Sequence, residues 1–383
     1  MNLFGAQVLV SSGPGGSFWL EDATLSFADG LITGINRIDP LHPIIDTRAQ
    51  GIAQLVPGFV DMHCHGGGGG SFPTGDVAQA RVASAFHLRH GTTSLIASLV
   101  TAPHSEILAA CEQLAPLVPE GVLAGLHLEG PYLSHLRCGA QDPRWLRDPD
   151  AQEIAELFGA ARGAIRQVTI APELPGAIDA IRQITALGAV AAIGHTNAQT
   201  HHVHAAIVAG ARVITHFGNA MPPLHHREAN ATACMLADPS LVCELIVDGH
   251  HLSEPMFHIA ARTAGAGRWA LITDAISAAG RPDGEYPLGS QTVSVQNGQA
   301  RLTGDRQAPL AGSLLTMDQA VRNAIQWGTS PIDTFEAASL TGATTLGLPH
   351  GTGRIAIGAP ADLVGLNAVH EVVAVWKHGI RVS

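Results

Sequence analysis

Histidines and carboxylates recur at the ends of short apolar runs in this sequence. His63 and His65 end the first such run, and Glu129, His195 and His216 end three later ones. Side chains at positions i and i+2 of a strand point to the same side, so His63 and His65 can serve one site. Imidazole and carboxylate groups are the ligands that Zn²⁺ and similar divalent ions take in proteins. Each residue alone fits an ordinary buried histidine or a salt-bridged glutamate, but together they predict a metal site.

A further carboxylate, Asp274, ends the run ALITDAIS. An aspartate at this place could simply cap the next helix. Opposite a metal site, however, it is suited to take a proton from water and return it to a leaving group. We therefore predict that Asp274 is the catalytic acid-base residue. No Ser-His-Asp elbow is visible in the sequence, so no covalent intermediate is expected.

Two other stretches could bind an anionic substrate. Arg227 lies in a Pro-His-Arg segment within residues 216–230, and His251 follows the seventh apolar run. The chain has 21 basic and 32 acidic residues, a net charge of −11, so an acidic substrate must be held by local donors. The alternative for the Pro-His-Arg segment is an ordinary solvated loop.

The composition is that of a chain with a large apolar core. Of its 383 residues, 46% are hydrophobic and 14% are charged, against roughly 25% charged in an average soluble domain. Such a chain can bury enough apolar surface to fold, which excludes intrinsic disorder. The negative net charge argues against general nucleic-acid binding. No apolar run is long enough for a membrane span and no signal-like start is seen, so we expect a cytoplasmic protein.

Cysteine and lysine usage narrows the chemistry further. Lys377 is the only lysine, and it lies in a predicted terminal strand, so a metal-bridging or Schiff-base lysine in the site is not expected. The cysteines are odd in number and include no C-x-x-C pair, which predicts no disulfide framework: Cys64, Cys111, Cys138, Cys234 and Cys243.

Eight apolar runs must position the chemically active side chains. Ala-rich helical stretches separate them, and polar residues stand at the carboxyl end of most runs. This alternation is typical of parallel strands buried on both faces. We therefore predict an α/β fold with a TIM-type (β/α)₈ barrel, and a doubly wound open sheet is the alternative. The runs are 58–65, 92–100, 122–130, 167–174, 189–196, 212–220, 241–251 and 269–277.

Both ends of the chain differ from the middle. Residues 8–12, 17–30 and 31–38 are short β-type segments broken by Gly and Asp, and residues 354–382 have the same character. We therefore predict two domains. The barrel domain spans residues 55–350, and a small β domain is made from residues 1–54 and 351–383.

These motifs, in this order, resemble those of the N-acetylglucosamine-6-phosphate deacetylases of the amidohydrolase superfamily. H-x-H and GxIxxGxxADL are shared by the wider superfamily, whereas HLEGP, THxxNAMxxxxxRE and DGxH are specific to the deacetylases. The resemblance implies a barrel with a small β-sandwich domain built from both termini. The matching segments cover nearly the whole chain: PGFVDMHCHG, LHLEGPYL, IGHTNA, THFGNAMPPLHHREAN, VDGHHL, LITDAISAAG, LAGSLLTMDQAVRN and GRIAIGAPADLV.

The resemblance also implies a role for each matching residue. Glu129, His195 and His216 correspond to the metal ligands, His63 and His65 to the second-metal pair of binuclear members, and Asp274 to the catalytic aspartate. Arg227 corresponds to a residue that reaches the phosphate in the neighbouring subunit, which implies a homodimer. The remaining matches are substrate contacts, made by side chain or backbone: Ala140, Asn219, Ala220, Asp248, His251, Ala311 and Gly312.

One position departs from the family pattern. Many relatives have a histidine twelve residues after the metal-binding glutamate, where this sequence has Gln141. In those relatives the histidine helps to polarise the amide carbonyl, so we predict Gln141 as a substrate contact. Glutamine can donate a neutral hydrogen bond but cannot titrate. It therefore polarises the carbonyl less than a protonated histidine does, which makes a second ion more important. Cys138 lies in the same loop, and an ordinary cysteine there is as compatible with the sequence as a lid or redox role.

The resemblance predicts hydrolysis of N-acetylglucosamine-6-phosphate to glucosamine-6-phosphate and acetate. The cofactor is expected to be one or two divalent ions, zinc in preference, and we favour two with Glu129 as the bridge. Two alternatives remain open: the same chemistry on another N-acetylated substrate such as N-acetylgalactosamine-6-phosphate, and a non-catalytic scaffold, which the intact ligand set disfavours.

Overall fold

The computed structural model describes residues 1–11, 16–36, 43–228, 230–304 and 308–382. Residues 12, 37 and 38, at the ends of two predicted terminal strands, lie outside this part of the chain. Strands and helices are numbered β1–β21 and α1–α10 in chain order. In this part of the chain, no helix is both long and apolar enough to cross a membrane.

Eight strands form one parallel sheet in which each strand lies beside the next along the chain. Every predicted apolar run overlaps one of them, and all five residues of the strand that ends in Glu129 are buried, as expected for a sheet covered on both faces. The (β/α)₈ prediction is confirmed. The strands, in sheet order, are β6 (Phe59–Asp61), β9 (Thr92–Leu99), β10 (Gly125–Glu129), β11 (Ile165–Ile170), β12 (Val190–Ile193), β13 (Val213–Ile214), β14 (Val242–Leu245) and β15 (Trp269–Leu271).

Helices alternate with these strands and turn an apolar face inward. In the helix at 151–160, Asp150 accepts a hydrogen bond from the backbone N–H of Glu153 and so caps its start, while Ile154, Leu157 and Phe158 are buried. The alternating helices are α1 (Val77–Arg89), α2 (His104–Leu114), α3 (Ala151–Ala160), α4 (Ala177–Ala186), α5 (Thr200–Ala209), α6 (Ala231–Ala237) and α7 (Glu254–Ala264). The later helices are α8 (Met317–Gln326), α9 (Pro331–Ala337) and α10 (Leu340–Thr345).

The two ends of the chain share a second, mixed sheet. Its strand order is β21-β20-β19-β5-β1-β2-β3, with β4 also paired to β1. Ile32 of β3 and Trp376 of β20, near opposite ends of this order, pack in one hydrophobic core, so the sheet bends around that core. The strands are β1 (Asn2–Ser11), β2 (Ser17–Ala28), β3 (Leu31–Ile35), β4 (Ile44–Asp46), β5 (Gln54–Pro57), β19 (Leu363–Leu366), β20 (Val372–Lys377) and β21 (Ile380–Arg381).

Two small sheets complete the strand inventory of the described residues. One is a two-stranded pair, β7 (Gly66–Gly67) and β8 (Gly70–Ser71), and the other is an antiparallel three-stranded sheet, β16 (Gly284–Leu288), β17 (Gln291–Gln296) and β18 (Gln299–Leu302). By its internal contacts the chain divides into two units, residues 1–61 with 85–94 and 316–383, and residues 62–84 with 95–315. The domain boundaries at 54/55 and 350/351 stay a prediction.

Candidate active site

The predicted metal ligands and the predicted catalytic residue Asp274 stand at or just beyond the carboxyl ends of barrel strands. Glu129 is the last residue of β10, and the others follow β6, β12, β13 and β15 within four residues. Because parallel strands end at one face of a barrel, these side chains converge. They form two groups whose ligand atoms lie within 4.8 Å of one another: His63, His65 and Asp274 in one, and Glu129, His195 and His216 in the other.

The group around Glu129 places acceptors face to face. Glu129 Oε1 lies 3.1 Å from His195 Nε2 and 2.9 Å from His216 Nε2, and the two Nε2 atoms are 3.0 Å apart. His195 Nδ1–H donates to the carbonyl oxygen of Arg137 at 3.0 Å, because a carbonyl can only accept. In the neutral ring Nε2 then carries a lone pair directed at a carboxylate. A cation between these atoms removes the repulsion, so the donor set fits a divalent ion.

The second group has the same character. His63 Nε2 lies 3.2 Å from His65 Nε2, and Asp274 Oδ1 lies 3.5 Å and 3.3 Å from these two nitrogens. His65 Nδ1–H donates to the carbonyl oxygen of Ser98, and His63 Nδ1–H donates to Glu244 Oε2, each at 3.1 Å. Both Nε2 lone pairs therefore face Asp274. Such second contacts fix the tautomer and orientation of metal-binding histidines.

Glu129 contacts both groups. Its Oε2 lies 3.2 Å from His65 Nε2, and its Oε1 lies 3.5 Å from His63 Nε2 as well as close to the other two histidines. The carboxylate therefore stands between the two ligand groups, with Oε1 nearest His195 and His216 and Oε2 nearest His65. A residue in this place could contact an ion held by either group.

The electrostatics of the site call for positive charge. Burial by itself lowers the pKa of His65, but the nearby Asp274 and Glu129 outweigh burial and raise the pKa to about 9. Burial likewise opposes ionisation of both carboxyls, yet His63 and the other nearby histidines lower the pKa of Glu129 and of Asp274 below their usual values. Two ionised, buried carboxylates need compensating charge, which protons supply in the metal-free protein and divalent ions supply otherwise.

Four residues of the site hold strained backbone conformations. Their φ angles are +46° at His195, +29° at His216, +49° at Ala220 and +49° at Asp274. A residue other than glycine in this region costs of order 1–3 kcal/mol, and such strain concentrates at functional sites. Gly312 has φ +64°, and a Cβ there would lie 2.8 Å from the carbonyl oxygen of Asp274, so this position requires glycine.

The ligand groups open into a cavity of about 350 Å³. Its lining includes the apolar side chains of Val100, Leu136, Leu288 and Leu310. Arg137 also lines the cavity and contributes a positive charge. Many of the residues predicted for metal binding, catalysis or substrate contact line this cavity: His65, Glu129, Ala140, Gln141, His195, His216, Asn219, Ala220, His251, Asp274 and Gly312.

Four predicted site residues lie elsewhere. His63 is completely buried behind the lining, and Ala311 packs in a hydrophobic cluster. Asp248 accepts hydrogen bonds from the backbone N–H groups of His250 and His251 and from His251 Nδ1, so it orients His251. Arg227 is exposed and does not line the cavity of its own chain.

Gln141 is held by two hydrogen bonds beside Glu129. Its amide nitrogen donates to Glu129 Oε2 at 2.6 Å, and its oxygen accepts from the backbone N–H of Thr101 at 2.8 Å. One of its two amide protons is therefore donated to the carboxylate of Glu129. This contact accounts for the burial of Gln141 independently of any contact with a substrate carbonyl.

Two residues of the site escape prediction from the sequence. Glu244 interrupts the buried strand β14, and a charge inside an apolar run is a signal that could have identified it. Arg137 lies in the loop before Cys138 and lines the cavity, with its Nε donating to Asn197 Oδ1 at 3.1 Å. A loop arginine carries no comparable signal, because its neighbours are set by the fold.

Comparison with known proteins agrees with this geometry. The sequence matches the Amidohydrolase family over residues 54–381. It is 34% identical over 370 residues to N-acetylglucosamine-6-phosphate deacetylase of Vibrio furnissii, covering 95% of this chain and 92% of the relative. It is also 34% identical over 367 residues to N-acetylgalactosamine-6-phosphate deacetylase of Escherichia coli O157:H7, covering 94% and 95%.

A solved structure resembles the whole chain. A mutant N-acetyl-D-glucosamine-6-phosphate deacetylase of Mycobacterium smegmatis, in complex with N-acetyl-D-glucosamine-6-phosphate, is 38% identical and superposes with a TM-score of 0.92 over 100% of this chain and 98% of that one. The predicted resemblance to the N-acetylglucosamine-6-phosphate deacetylases is thus confirmed. This chain belongs to the amidohydrolase family.

Proposed function

We propose that this chain is a metal-dependent deacetylase that hydrolyses N-acetylglucosamine-6-phosphate to glucosamine-6-phosphate and acetate. One observation carries the proposal above the others: the ionised carboxylate of Asp274 lines the same cavity as Glu129, His195 and His216. A proton acceptor thus faces a set of ligands that fits a divalent ion. The similarity to deacetylases of this class over nearly the full chain supports the substrate.

The reaction needs one group to move a proton. A bound divalent ion supplies Lewis-acid polarisation of the acetamide carbonyl and a lowered pKa of water. Asp274 is ionised because nearby histidines lower its pKa, so it can accept a proton from the water that adds to the carbonyl carbon. Asp274 then donates this proton to the sugar nitrogen as the C–N bond breaks, which releases acetate and the amine.

The sugar phosphate needs donors at the cavity wall. His251 lines the cavity, and its Nδ1–H donates to Asp248 Oδ2 at 2.7 Å, which leaves Nε2 to face the substrate. Arg137 also lines the cavity, and its Nε is fixed by Asn197. We assign both residues to the phosphate group. Charge-assisted hydrogen bonds of this kind are roughly twice as strong as neutral ones.

We further propose that two ions bind and that they are zinc. Glu129 contacts both ligand groups, and imidazole with carboxylate suits Zn²⁺. A bridging lysine is the usual alternative, but Lys377 belongs to β20 and is absent from the cavity lining. Glu129 is therefore the bridge that we propose.

A homodimer follows from the proposed role of Arg227. This residue is exposed and stands apart from the cavity of its own chain, as expected if it completes the phosphate site of a second copy. The assignments of Asn219, Ala220 and the backbone near Ala140 and Gly312 to the sugar stay predictions. A cytoplasmic location also stays a prediction.

One alternative substrate has specific support. The relative that deacetylates N-acetylgalactosamine-6-phosphate is as similar to this chain as the V. furnissii protein. The test is acetate release from N-acetylglucosamine-6-phosphate, N-acetylgalactosamine-6-phosphate and unphosphorylated N-acetylglucosamine, with protein that is metal-loaded or stripped by a chelator. We expect the first sugar to give the highest kcat/KM and the stripped protein to be inactive until Zn²⁺ is restored. Equal activity of the stripped protein, or no activity on either phosphorylated sugar, would contradict the proposal.

A further inference from the structure

We propose that Glu244 is a positioning residue that aligns His63 and stabilises the ion bound by His63 and His65. The inference rests on the two-ion site proposed above, and it adds a residue that contacts no substrate. Glu244 lies in β14, and its side chain is completely buried.

Glu244 forms hydrogen bonds with a residue of each ligand group. Its Oε2 accepts from His63 Nδ1–H and from the backbone N–H of His216, both at 3.1 Å. Its Oε1 accepts from the side-chain amide of Gln167 at 2.7 Å. One carboxylate oxygen thus contacts a ligand of each group, and it holds the backbone of His216 at the point where φ is +29°.

The first consequence concerns the direction of the His63 ring. A carboxylate at Nδ1 keeps the proton on that nitrogen, which leaves the Nε2 lone pair directed toward His65 and Asp274. A carboxylate on the far side of a ligating histidine also makes the ring a stronger base and therefore a better ligand. At the Nδ1 of His65 the acceptor is the neutral carbonyl oxygen of Ser98. The charged Glu244 should therefore make His63 a stronger base, and a stronger metal ligand, than His65.

The second consequence concerns charge. Among the described residues, Glu244 accepts hydrogen bonds from His63, Gln167 and the backbone of His216, and a fully buried carboxylate is costly without a compensating charge. Together with Glu129 and Asp274 it makes a cluster of three carboxylates. One divalent ion leaves such a cluster with excess negative charge, whereas two ions exceed it by one charge, which a hydroxide can balance. Glu244 therefore favours binding of the second ion.

The experiment measures zinc binding by four proteins. They are the unaltered chain, Glu244→Gln, the double variant His63→Ala with His65→Ala, and the triple variant that combines all three changes. Each is stripped with a chelator and titrated with Zn²⁺ against a chromophoric competitor, and bound metal is counted by atomic emission. Glutamine keeps the size of the side chain and can still accept from His63, so the variant mainly removes charge.

We expect Glu244→Gln to lower the affinity for one of the two zinc ions by about 10- to 100-fold, the range found when partners of metal ligands are changed. The triple variant should bind zinc like the double variant, because the ion on which Glu244 acts is already lost. Equal weakening by Glu244→Gln in both backgrounds would make Glu244 a general structural residue and overturn the inference. Two ions bound with unchanged affinity in Glu244→Gln would also overturn it, while leaving the proposed function intact.

Two further proteins keep the test decisive. Glu244→Asp retains the charge but shortens the side chain by one methylene, so it should also lower the affinity for the same zinc ion. It replaces Glu244→Gln in the experiment if that variant does not fold. Thr169→Val is the matched control. Thr169 is a buried polar residue of the same barrel, but its hydroxyl contacts His127 and Thr215 instead of a metal ligand. Its zinc binding should equal that of the unaltered chain, and a loss as large as that of Glu244→Gln would contradict a specific role for Glu244.

Discussion

The backbone N–H of Asp274 donates a hydrogen bond to the carbonyl oxygen of His63 at 2.8 Å. This bond joins the segment after the last barrel strand to the segment after the first. It therefore ties the proposed acid-base residue to a proposed metal ligand through backbone atoms. The side chains of the same two residues are also close, with Asp274 Oδ1 lying 3.5 Å from His63 Nε2.

Asp274→Asn should separate catalysis from metal binding. Asparagine has nearly the same shape but cannot accept the proton from water. We expect turnover to fall by on the order of 10²-fold or more, while the variant still binds zinc, because an asparagine keeps a side-chain oxygen and His63, His65, Glu129, His195 and His216 are unchanged. Steady-state acetate release and metal analysis on the same preparation check this, and near-normal turnover would remove Asp274 from the mechanism.

The two arginines assigned to the phosphate should affect only phosphorylated sugars. Arg137→Ala and Arg227→Ala should each raise KM for N-acetylglucosamine-6-phosphate by about tenfold to a hundredfold, since a charge-assisted contact contributes roughly 1.5–3 kcal/mol. Activity on unphosphorylated N-acetylglucosamine should change little. Arg182→Ala is the control, because Arg182 is exposed and pairs with Asp179 on the same helix. If kcat/KM falls by the same factor for both sugars in one of the arginine variants, that arginine has a structural role.

Arg137 and Arg227 can be distinguished by mixing subunits. If Arg227 acts in the neighbouring subunit, mixed dimers of Arg227→Ala and Asp274→Asn contain one site with both residues intact. Mixing these two weakened proteins should therefore restore activity toward the phosphorylated sugar. Mixing Arg137→Ala with Asp274→Asn should restore nothing, because both residues belong to the same site. If activity returns only in the mixture with Arg137→Ala, Arg137 is the residue that acts in the neighbouring subunit and Arg227 acts in its own.

Substrate binding should weaken at alkaline pH through His251. Burial by itself lowers the pKa of His251, but hydrogen bonding to Asp248 and the nearby Asp274 outweigh burial and raise the pKa above its usual value. The imidazolium therefore persists to higher pH than it does in an unperturbed histidine, and it is lost as the pH rises through the raised pKa. KM for the phosphorylated sugar should rise in that range, and His251→Gln should remove this rise. A KM profile unchanged in His251→Gln would show that another group causes it.

Outside the site, Asp318 should stabilise the fold in a pH-dependent way. Burial opposes its ionisation, but hydrogen bonds from His90 and Thr316 and the charge of Arg322 lower the pKa of Asp318 to about 2. Since its folded pKa lies below its unfolded pKa, the contribution is full above the unfolded value and is lost as the pH falls toward 2. Asp318→Asn should lower the free energy of unfolding at pH 7 by about 2 kcal/mol. Urea denaturation checks this against Asp179→Asn, an exposed control expected within about 0.5 kcal/mol of the unaltered chain.

The sequence predicts the barrel because its signal is local. Most apolar runs have polar residues at their carboxyl end, as in VLAGLHLEG, where Glu129 stands near the end. The strand, its direction and its site residue can therefore be inferred from one short segment. The terminal sheet is harder to predict, since β5 pairs with β19 across about 300 residues and no local pattern records that pairing. Most of its strands overlap segments that were predicted as β, but β4 and β5 lie outside those segments, and the strand order was not predicted.

The site shows the same division. His63, His65 and Glu129 were predicted as metal ligands because imidazoles and carboxylates at strand ends are typical of such sites, and the structure brings these side chains within 3.5 Å of one another. Glu244 was missed because its partners come from β11 and from the ends of β6 and β13, and only folding brings them together. The hydrogen bond from Gln141 to Glu129 was missed for the same reason, since a glutamine side chain can serve many partners.

The central claim is a two-ion deacetylase, and the most direct measurement is zinc content together with turnover for the unaltered protein and the His63→Ala/His65→Ala double variant. The account predicts about two equivalents falling to about one, with turnover on N-acetylglucosamine-6-phosphate reduced by roughly 10-fold or more. A double variant that keeps full turnover with one equivalent would contradict it and make the second ion dispensable.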